Sequence, residues 1–235
     1  MQFKSPLIEG TLIKRYKRFL ADIKLKDNTI VTAHTANTGS MKGCCLPGSQ
    51  VWLSKKNDPK RKYPLSWELV EVDTGVLVGI NTGMANALIT EGIQNGIINE
   101  FNGYQSLRKE VKYGSENSRI DLLLEDRSGT RCFIEVKNVT MVENNIAYFP
   151  DAVSKRGTKH LRELESMVKA GNRGIIIYCV QRKDAQEVRP AAMIDPEYTQ
   201  TFKTVLKTGV EALAYRADVT PRSIVISNSL PVNAG

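Results

Sequence analysis

Three charged residues interrupt apolar stretches in the middle of the chain. Asp121 precedes three consecutive leucines, and further along Glu135 and Lys137 alternate with apolar residues. A carboxylate within an apolar strand is costly to desolvate unless it is paired, hydrated or bound to a cation. Three such charges therefore indicate a chemical site.

The alternation of side chains along a strand predicts how these residues meet. Glu135 and Lys137 project to the same face, and a hairpin between the two strands can place Asp121 beside them. Two carboxylates suit Mg²⁺ or Mn²⁺, and a lysine can position water and offset developing charge on a phosphate. We expect Asp121, Glu135 and Lys137 to be catalytic, with Asp121 and Glu135 as metal ligands.

The elements that must position this site follow from hydrophobic periodicity. Isoleucines at i, i+4 and i+8 predict a helix over residues 84–98. A second predicted helix ends at Gly171 and lies between two strands, which indicates a parallel βαβ unit. Another helix is predicted at 196–207. The predicted strands of this half are 107–113, 119–124, 131–136, 174–180, 211–215 and 223–226.

The first part of the chain consists of short β-type runs separated by turn residues. Asp27-Asn28, Pro47-Gly48 and Asp73-Thr74-Gly75 are the turn signals. Several short strands in succession predict a small barrel, so we divide the chain into domains at 1–82 and 83–235. The predicted strands are 11–15, 19–25, 29–33, 50–53, 68–72 and 76–80.

The charge balance favours a polyanionic partner. Lys and Arg number 33 against 25 Asp and Glu, which gives a net charge of +8. Basic residues near the N-terminus alternate with Tyr16 and Phe19, whose rings either stack on bases or pack in the barrel core, and we favour the core for Phe19. The predicted nucleic-acid contacts are Lys14, Arg15, Lys17, Arg18, Arg156, Lys159 and His160.

Other classes of protein are disfavoured. No apolar run approaches the roughly 20 residues that span a bilayer, and the N-terminus lacks a secretory signal pattern, so we expect a cytoplasmic protein without a membrane partner. With only two histidines and no Cys-x-x-Cys spacing, a zinc site is not expected, and the four cysteines are interpreted as buried thiols.

The spacing of the charged site resembles a known signature. Asp121, thirteen intervening residues and Glu135-x-Lys137 are similar to the catalytic motif of the PD-(D/E)XK nucleases, although Ile120 stands where proline is usual. In that superfamily an acidic residue on the first helix often completes the metal site. Glu91 is the best match by position, with Glu100 or Glu110 as alternatives, and an ordinary solvated helix carboxylate is the competing interpretation.

A second resemblance covers nearly the whole chain, to the bacterial sugar fermentation stimulation protein family. It implies an α/β fold (α+β overall), with an N-terminal oligonucleotide-binding (OB) barrel followed by a restriction-endonuclease-like mixed-sheet domain. It also implies DNA binding and a link to sugar metabolism genes. Ser40 stands where arginine is expected. The matching blocks are AHTANTG (33–39), CLPG (45–48), VGINT (78–82), SRID (118–121), EVKNVT (135–140), PDAV (150–153) and RGTKHL (156–161).

Three functional hypotheses remain open at this point. The first is a DNA-binding protein with an Mg²⁺- or Mn²⁺-dependent phosphodiesterase site. The second is a non-catalytic, DNA-binding regulator of sugar (maltose-type) metabolism genes that keeps the nuclease fold as a scaffold. The third is a protein whose preferred polymer is RNA, because an OB-type barrel also permits RNA binding.

Overall fold

The computed structural model describes residues 1–56, 58–72, 75–113 and 118–235. Its N-terminal part forms a closed barrel, because β3 pairs with β5 at His34 and Ser66 and so joins the two ends of a five-strand sheet. This confirms the predicted barrel. The strands are β1 (Ile8–Tyr16), β2 (Leu20–Leu25), β3 (Ile30–His34), β4 (Gln50–Lys55), β5 (Leu65–Val72) and β6 (Val76–Gly79), in the order β3-β2-β1-β4-β5-β6.

Inward-facing apolar side chains and tight turns build this barrel. Trp67 is fully buried in its core, and Trp52 is buried against the second domain. Asn28 and Gly48 adopt positive φ at two of the predicted turns. Residues 73 and 74 of the third predicted turn lie outside the described residues, although β5 and β6 pair antiparallel. Phe19 is 42% exposed, so its expected place in the barrel core was wrong.

The second part of the chain is a six-strand mixed sheet with helices on both faces. β9 pairs in parallel with β12, which confirms the predicted parallel unit. A small additional sheet, β10-β11-β13, was not predicted. The main sheet has the order β15-β14-β12-β9-β8-β7. Its strands are β7 (Ser106–Tyr113), β8 (Ser118–Glu125), β9 (Arg131–Val139), β12 (Arg173–Val180), β14 (Glu211–Val219) and β15 (Ile224–Leu230), and the small sheet comprises β10 (Met141–Glu143), β11 (Ile146–Phe149) and β13 (Glu187–Pro190).

Three α-helices cover the main sheet, α1 (Ala85–Gln94) on one face and α2 (Lys155–Lys169) and α3 (Pro196–Lys207) on the other. The Ser154 hydroxyl and the Asp195 carboxylate cap the starts of α2 and α3. Helix α1 ends at Gln94 rather than Ile98, because Gly96 turns the chain at φ +70°. In the part of the chain that is described, no helix is long and apolar enough to cross a membrane.

The barrel packs directly on the α1 side of the sheet. Trp52 and Leu69 of the barrel share one apolar cluster with Leu88 and Ile89 of α1 and with the inner face of the sheet. Because both parts contribute to a single core, the barrel has a fixed position against the second domain. Loops of the barrel can therefore form part of a site on the mixed sheet.

Candidate active site

Asp121 in β8 is fixed by two hydrogen bonds, one from each side. The backbone N–H of Val136 donates to its Oδ2 at 2.7 Å, and Asn86 of α1 donates to its Oδ1 at 2.8 Å. The first bond crosses the antiparallel β8–β9 pairing, in which Leu122 lies opposite Ile134. Asp121, Glu135 and Lys137 consequently line the same cavity, which has a volume of about 370 Å³.

Glu135 is almost completely buried beside this cavity, with 3% of its surface exposed. Its Oε1 accepts a hydrogen bond from Lys137 Nζ at 2.6 Å and contacts His160 Nδ1. Its Oε2 is buried and has no hydrogen-bond partner within the described residues. A buried carboxylate oxygen without a partner is costly, and a bound cation would remove that cost.

The environments of the two carboxylates differ. Burial and the charge of Glu135 raise the pKa of Asp121, outweighing the hydrogen bonds from Val136 and Asn86. Burial also opposes ionisation of Glu135, but the charge of Lys137 and the hydrogen bond to His160 outweigh it and lower its pKa. Glu135 is thus held as an anion beside a second carboxylate whose charge is poorly stabilised.

The donor set fits a hard divalent cation. Across residues 1–56, 58–72, 75–113 and 118–235 no group of three or more His, Cys, Asp and Glu side chains is arranged to hold a metal ion. Mg²⁺ is usually held by only one or two carboxylates, with waters and phosphate oxygens completing its shell. Asp121 and Glu135 match that pattern, with the partnerless Oε2 of Glu135 as the available ligand.

His160 of α2 supports Glu135 rather than facing solvent. It is 5% exposed, and Arg156 Nε donates to its Nε2 at 3.3 Å. Because Nε2 accepts that bond, a neutral ring carries its proton on Nδ1 and donates it to Glu135, a tautomer inferred from the hydrogen bonds. Arg156 is exposed and lines the cavity, and Lys159 is partly buried one turn further along α2.

The opposite wall of the cavity comes from the barrel, in the loop of residues 36–40, hereafter the 36–40 loop. Asp151 of the second domain accepts hydrogen bonds from Met41 N at 2.9 Å and Ser40 Oγ at 3.1 Å. Arg15 and Arg18 donate to backbone carbonyls of this loop. Two of the predicted nucleic-acid contacts, Arg15 and Arg18, therefore hold the wall of the site.

The other basic residues of the barrel are more exposed. Lys14 lies 3.7 Å from Asp22, and Lys17 is exposed in the turn between β1 and β2. Their placement is compatible with contacts to a phosphate backbone.

The three acidic candidates for completing the site lie in different places. Glu91 accepts a hydrogen bond from the Met1 amino group at 2.5 Å, and Glu100 accepts one from Tyr215. Neither lines the cavity. Glu110 lies between Lys109 and Val111, which pair with the neighbours of Asp121, Leu122 and Ile120. Its Oε1 is 3.5 Å from the same Asn86 amide that bonds Asp121. Glu110 is thus the candidate nearest to the site.

Sequence reasoning missed Asn86, Asp151 and the 36–40 loop. Asn86 is one polar residue on an amphipathic helix, which carries no distinctive signal. The Asn-Thr-Gly sequence at 37–39 does signal a turn, and the Asn37 side chain accepts a bond from Gly39 N as expected for that chemistry. The position of the 36–40 loop across from Glu135 depends on how the barrel packs on the second domain, which no local sequence pattern encodes.

The chain joins an OB-type barrel to a mixed sheet, and adjacent strands of that sheet carry two carboxylates and a lysine. This combination defines a protein with a restriction-endonuclease-like fold. Residues 13–80 match the family described as the SfsA N-terminal OB domain, and residues 83–223 match the Sugar fermentation stimulation protein RE domain. The chain belongs to the sugar fermentation stimulation protein family.

Similar proteins cover the full length of the chain. Sugar fermentation stimulation protein homologs from Geobacter metallireducens and Shewanella sp. (strain MR-4) are 58% and 53% identical over 232 residues, 99% of both chains in each case. The structure is similar to that of Pyrococcus furiosus SfsA in complex with Ca²⁺, with a TM-score of 0.89, 26% identity and coverage of 99% and 98%. These findings confirm the family resemblance and the predicted fold.

Proposed function

We propose that this protein is a DNA-binding, Mg²⁺- or Mn²⁺-dependent phosphodiesterase whose active site comprises Asp121, Glu135 and Lys137. The observation that carries the proposal is the buried Glu135 Oε2 atom, which has no partner in the described part of the chain and belongs to a side chain that lines the same cavity as Asp121. A purely structural carboxylate would be expected to have both oxygens satisfied.

The residues of the site have distinct roles in this proposal. Asp121 and Glu135 would hold the ion, which when bound polarises the phosphate and lowers the pKa of water. Lys137, fixed by its 2.6 Å bond to Glu135, is positioned to orient water and to balance charge on the phosphate. His160 keeps Glu135 in its orientation.

Two further facts support a divalent cation and a polyanionic substrate. The Pyrococcus furiosus relative was solved in complex with Ca²⁺, which prefers oxygen ligands as Mg²⁺ does. The net charge of +8 favours association with nucleic acid. We assign residues 1–82 to gathering the polymer and residues 83–235 to the chemistry.

The test compares wild type with Asp121→Ala and with Asp218→Ala, which removes an exposed carboxylate from β14. Labelled single-stranded and duplex DNA and RNA are incubated with Mg²⁺, Mn²⁺ or a chelator. We expect metal-dependent cleavage by wild type and Asp218→Ala, and a loss of at least about a hundredfold in Asp121→Ala with binding retained, because binding rests on dispersed phosphate contacts.

Two results would contradict the proposal. Cleavage that persists in Asp121→Ala or in the chelator would place the chemistry elsewhere. Tight binding without cleavage of any substrate would instead support a non-catalytic regulator that keeps the fold as a scaffold. A preference for RNA would change the assigned polymer and leave the site assignment intact.

A further inference from the structure

The cavity at Asp121 is enclosed from two sides that belong to different domains. Asp121, Glu135 and Lys137 form one side, and residues Asn37 and Gly39 of the 36–40 loop contribute to the other. A polymer that reaches the carboxylates must therefore pass between the mixed sheet and the barrel. The shape of this passage limits which nucleic acids can react.

Contacts on both sides hold the 36–40 loop in place. The Asp151 carboxylate binds Met41 N and Ser40 Oγ, and a Cβ added at Gly39 would lie 2.7 and 2.8 Å from the two Asp151 oxygens. Next to the loop, Lys42 forms a 2.7 Å ion pair with Glu143. The wall cannot move outward without breaking several of these contacts, so we treat the passage as preformed.

The size of the cavity matches one nucleotide. Its volume of about 370 Å³ lies in the range of pockets that enclose a single small-molecule-sized group, about 300–1,000 Å³. The two strands of a continuous duplex do not fit such a space together. The cavity is a cleft partly open to solvent, which one strand can enter from the side. Enzymes whose reacting group must enter a narrow site act on single strands or on nucleotides drawn out of the duplex.

An exposed aromatic ring lies next to the same loop. Phe19 is 42% exposed, and its backbone carbonyl accepts a 2.9 Å hydrogen bond from Thr35 N. The preceding residue, Arg18, donates to Thr38 O at 2.8 Å, so the backbone at Phe19 is tied to the 36–40 loop that lines the cavity. The Phe19 ring lies against one side of the His34 ring, with 6.2 Å between the ring centroids. An exposed ring among cations is the arrangement on which single-stranded bases stack.

From these observations we propose that the site takes single-stranded nucleic acid, with a base stacked on Phe19 and the strand passing along the 36–40 loop into the cavity. This inference rests on the proposed function and specifies its substrate. Phe19 is a binding residue in this arrangement, and Lys17 in the same turn lies where a backbone phosphate would pass.

The experiment measures binding and cleavage separately. Binding of fluorescently labelled single strands and of matched blunt duplex, as DNA and as RNA, is measured in chelator with wild type, Phe19→Ala, Phe19→Trp and Ile30→Ala. Ile30 is the matched control, since it is 64% exposed at the other end of the β2–β3 hairpin. We expect Phe19→Ala to weaken single-strand binding about tenfold and Phe19→Trp to restore it.

The remaining outcomes separate the two proposals. Wild type should bind duplex more weakly than single strand. Phe19→Ala should change the affinity for duplex by less than about twofold, and Ile30→Ala should change the affinity for single strand by less than about twofold. Equal cleavage of blunt duplex and single strand in Mg²⁺, or unchanged single-strand binding in Phe19→Ala, would overturn this inference while leaving the nuclease intact. Single-strand preference with the Phe19 effect, but without any cleavage, would support this binding path and reject the proposed function.

Discussion

The acidic cavity and the basic β1–β2 turn both adjoin the 36–40 loop but handle charge in opposite ways. In the cavity, Glu135 is buried, shares one oxygen between Lys137 and His160, and lies beside Asp121. In the turn, Lys17 is exposed to solvent. Buried charges depend on their partners, whereas exposed ones are screened by water and salt.

This difference teaches how function is divided between the domains. A change to one member of the cavity alters the charge balance of all the others, since they share hydrogen bonds. A change to one exposed lysine removes one contact among many. Single substitutions should therefore have large effects on cleavage or stability in the cavity and small effects in the turn. A different order of effects would contradict this division of roles.

The largest effect is expected for Glu135→Gln. The substitution keeps the size of the side chain but removes the charge that holds Lys137 and the oxygen available to a cation. Loss of an outer partner of a metal site commonly costs about 10–100-fold, so loss of a ligand should reduce cleavage by at least about a hundredfold. Cleavage rates and the Mg²⁺-dependent shift in Tm are the measurements, and both should decline together.

Glu125→Gln is the control for this change. Glu125 belongs to the same hairpin but forms ion pairs with Arg108 and Arg131 near the surface, and its loss should alter cleavage by less than about threefold. If Glu135→Gln cleaved at the wild-type rate, Glu135 would be a structural carboxylate and the metal assignment would be wrong.

An intermediate effect is expected for Arg15→Ala, because Arg15 lies in β1 next to the basic turn but contacts the 36–40 loop that lines the cavity. Its guanidinium donates to the carbonyl oxygens of Arg18, Asn37 and Gly39 at 2.5, 3.0 and 2.9 Å. Removing it leaves these acceptors without that donor and loosens the 36–40 loop. We expect a loss of about 1–2 kcal/mol in the free energy of unfolding.

Lys14→Ala provides the comparison for Arg15→Ala, since Lys14 is largely exposed and its ion pair with Asp22 is long at 3.7 Å. Urea denaturation of both variants should show a clear decrease for Arg15→Ala and a change within about 0.5 kcal/mol for Lys14→Ala. Equal stabilities would mean that the loop is held without Arg15.

The sequence allowed the strand-borne part of the site to be predicted. Strand alternation and a hairpin are local, and they sufficed to bring Asp121, Glu135 and Lys137 together. The predicted bounds of α3 agree with the structure. The role of Arg15 could not be predicted, because two of its partners, Asn37 and Gly39, lie more than twenty residues away. A basic residue near a turn has the same local pattern whether it binds phosphate or backbone.

The third acidic residue shows the same limit. Glu91 was chosen because it lies on the first helix, yet it is Asn86 on that helix that bonds Asp121. Residues five apart on a helix do not share a face, so Glu91 points to Met1 instead. Glu110 reaches the neighbourhood of Asp121 only through the strand pairing of β7 with β8, and it has a positive φ of 53° that its sequence context does not reveal.

The smallest effect is expected for Lys17→Gln, which replaces one exposed positive charge with a neutral polar side chain. If the strand passes this turn, one phosphate contact is lost, and the slope of log Kd against log salt concentration should fall by about 0.7. Lys207 lies at the end of α3, on the face of the sheet opposite the barrel, so Lys207→Gln should leave the slope unchanged. A slope that falls equally in both variants would mean that the net charge, and not the turn, attracts the polymer. The basic turn would then not belong to the substrate path, and only the cavity would contact the substrate specifically.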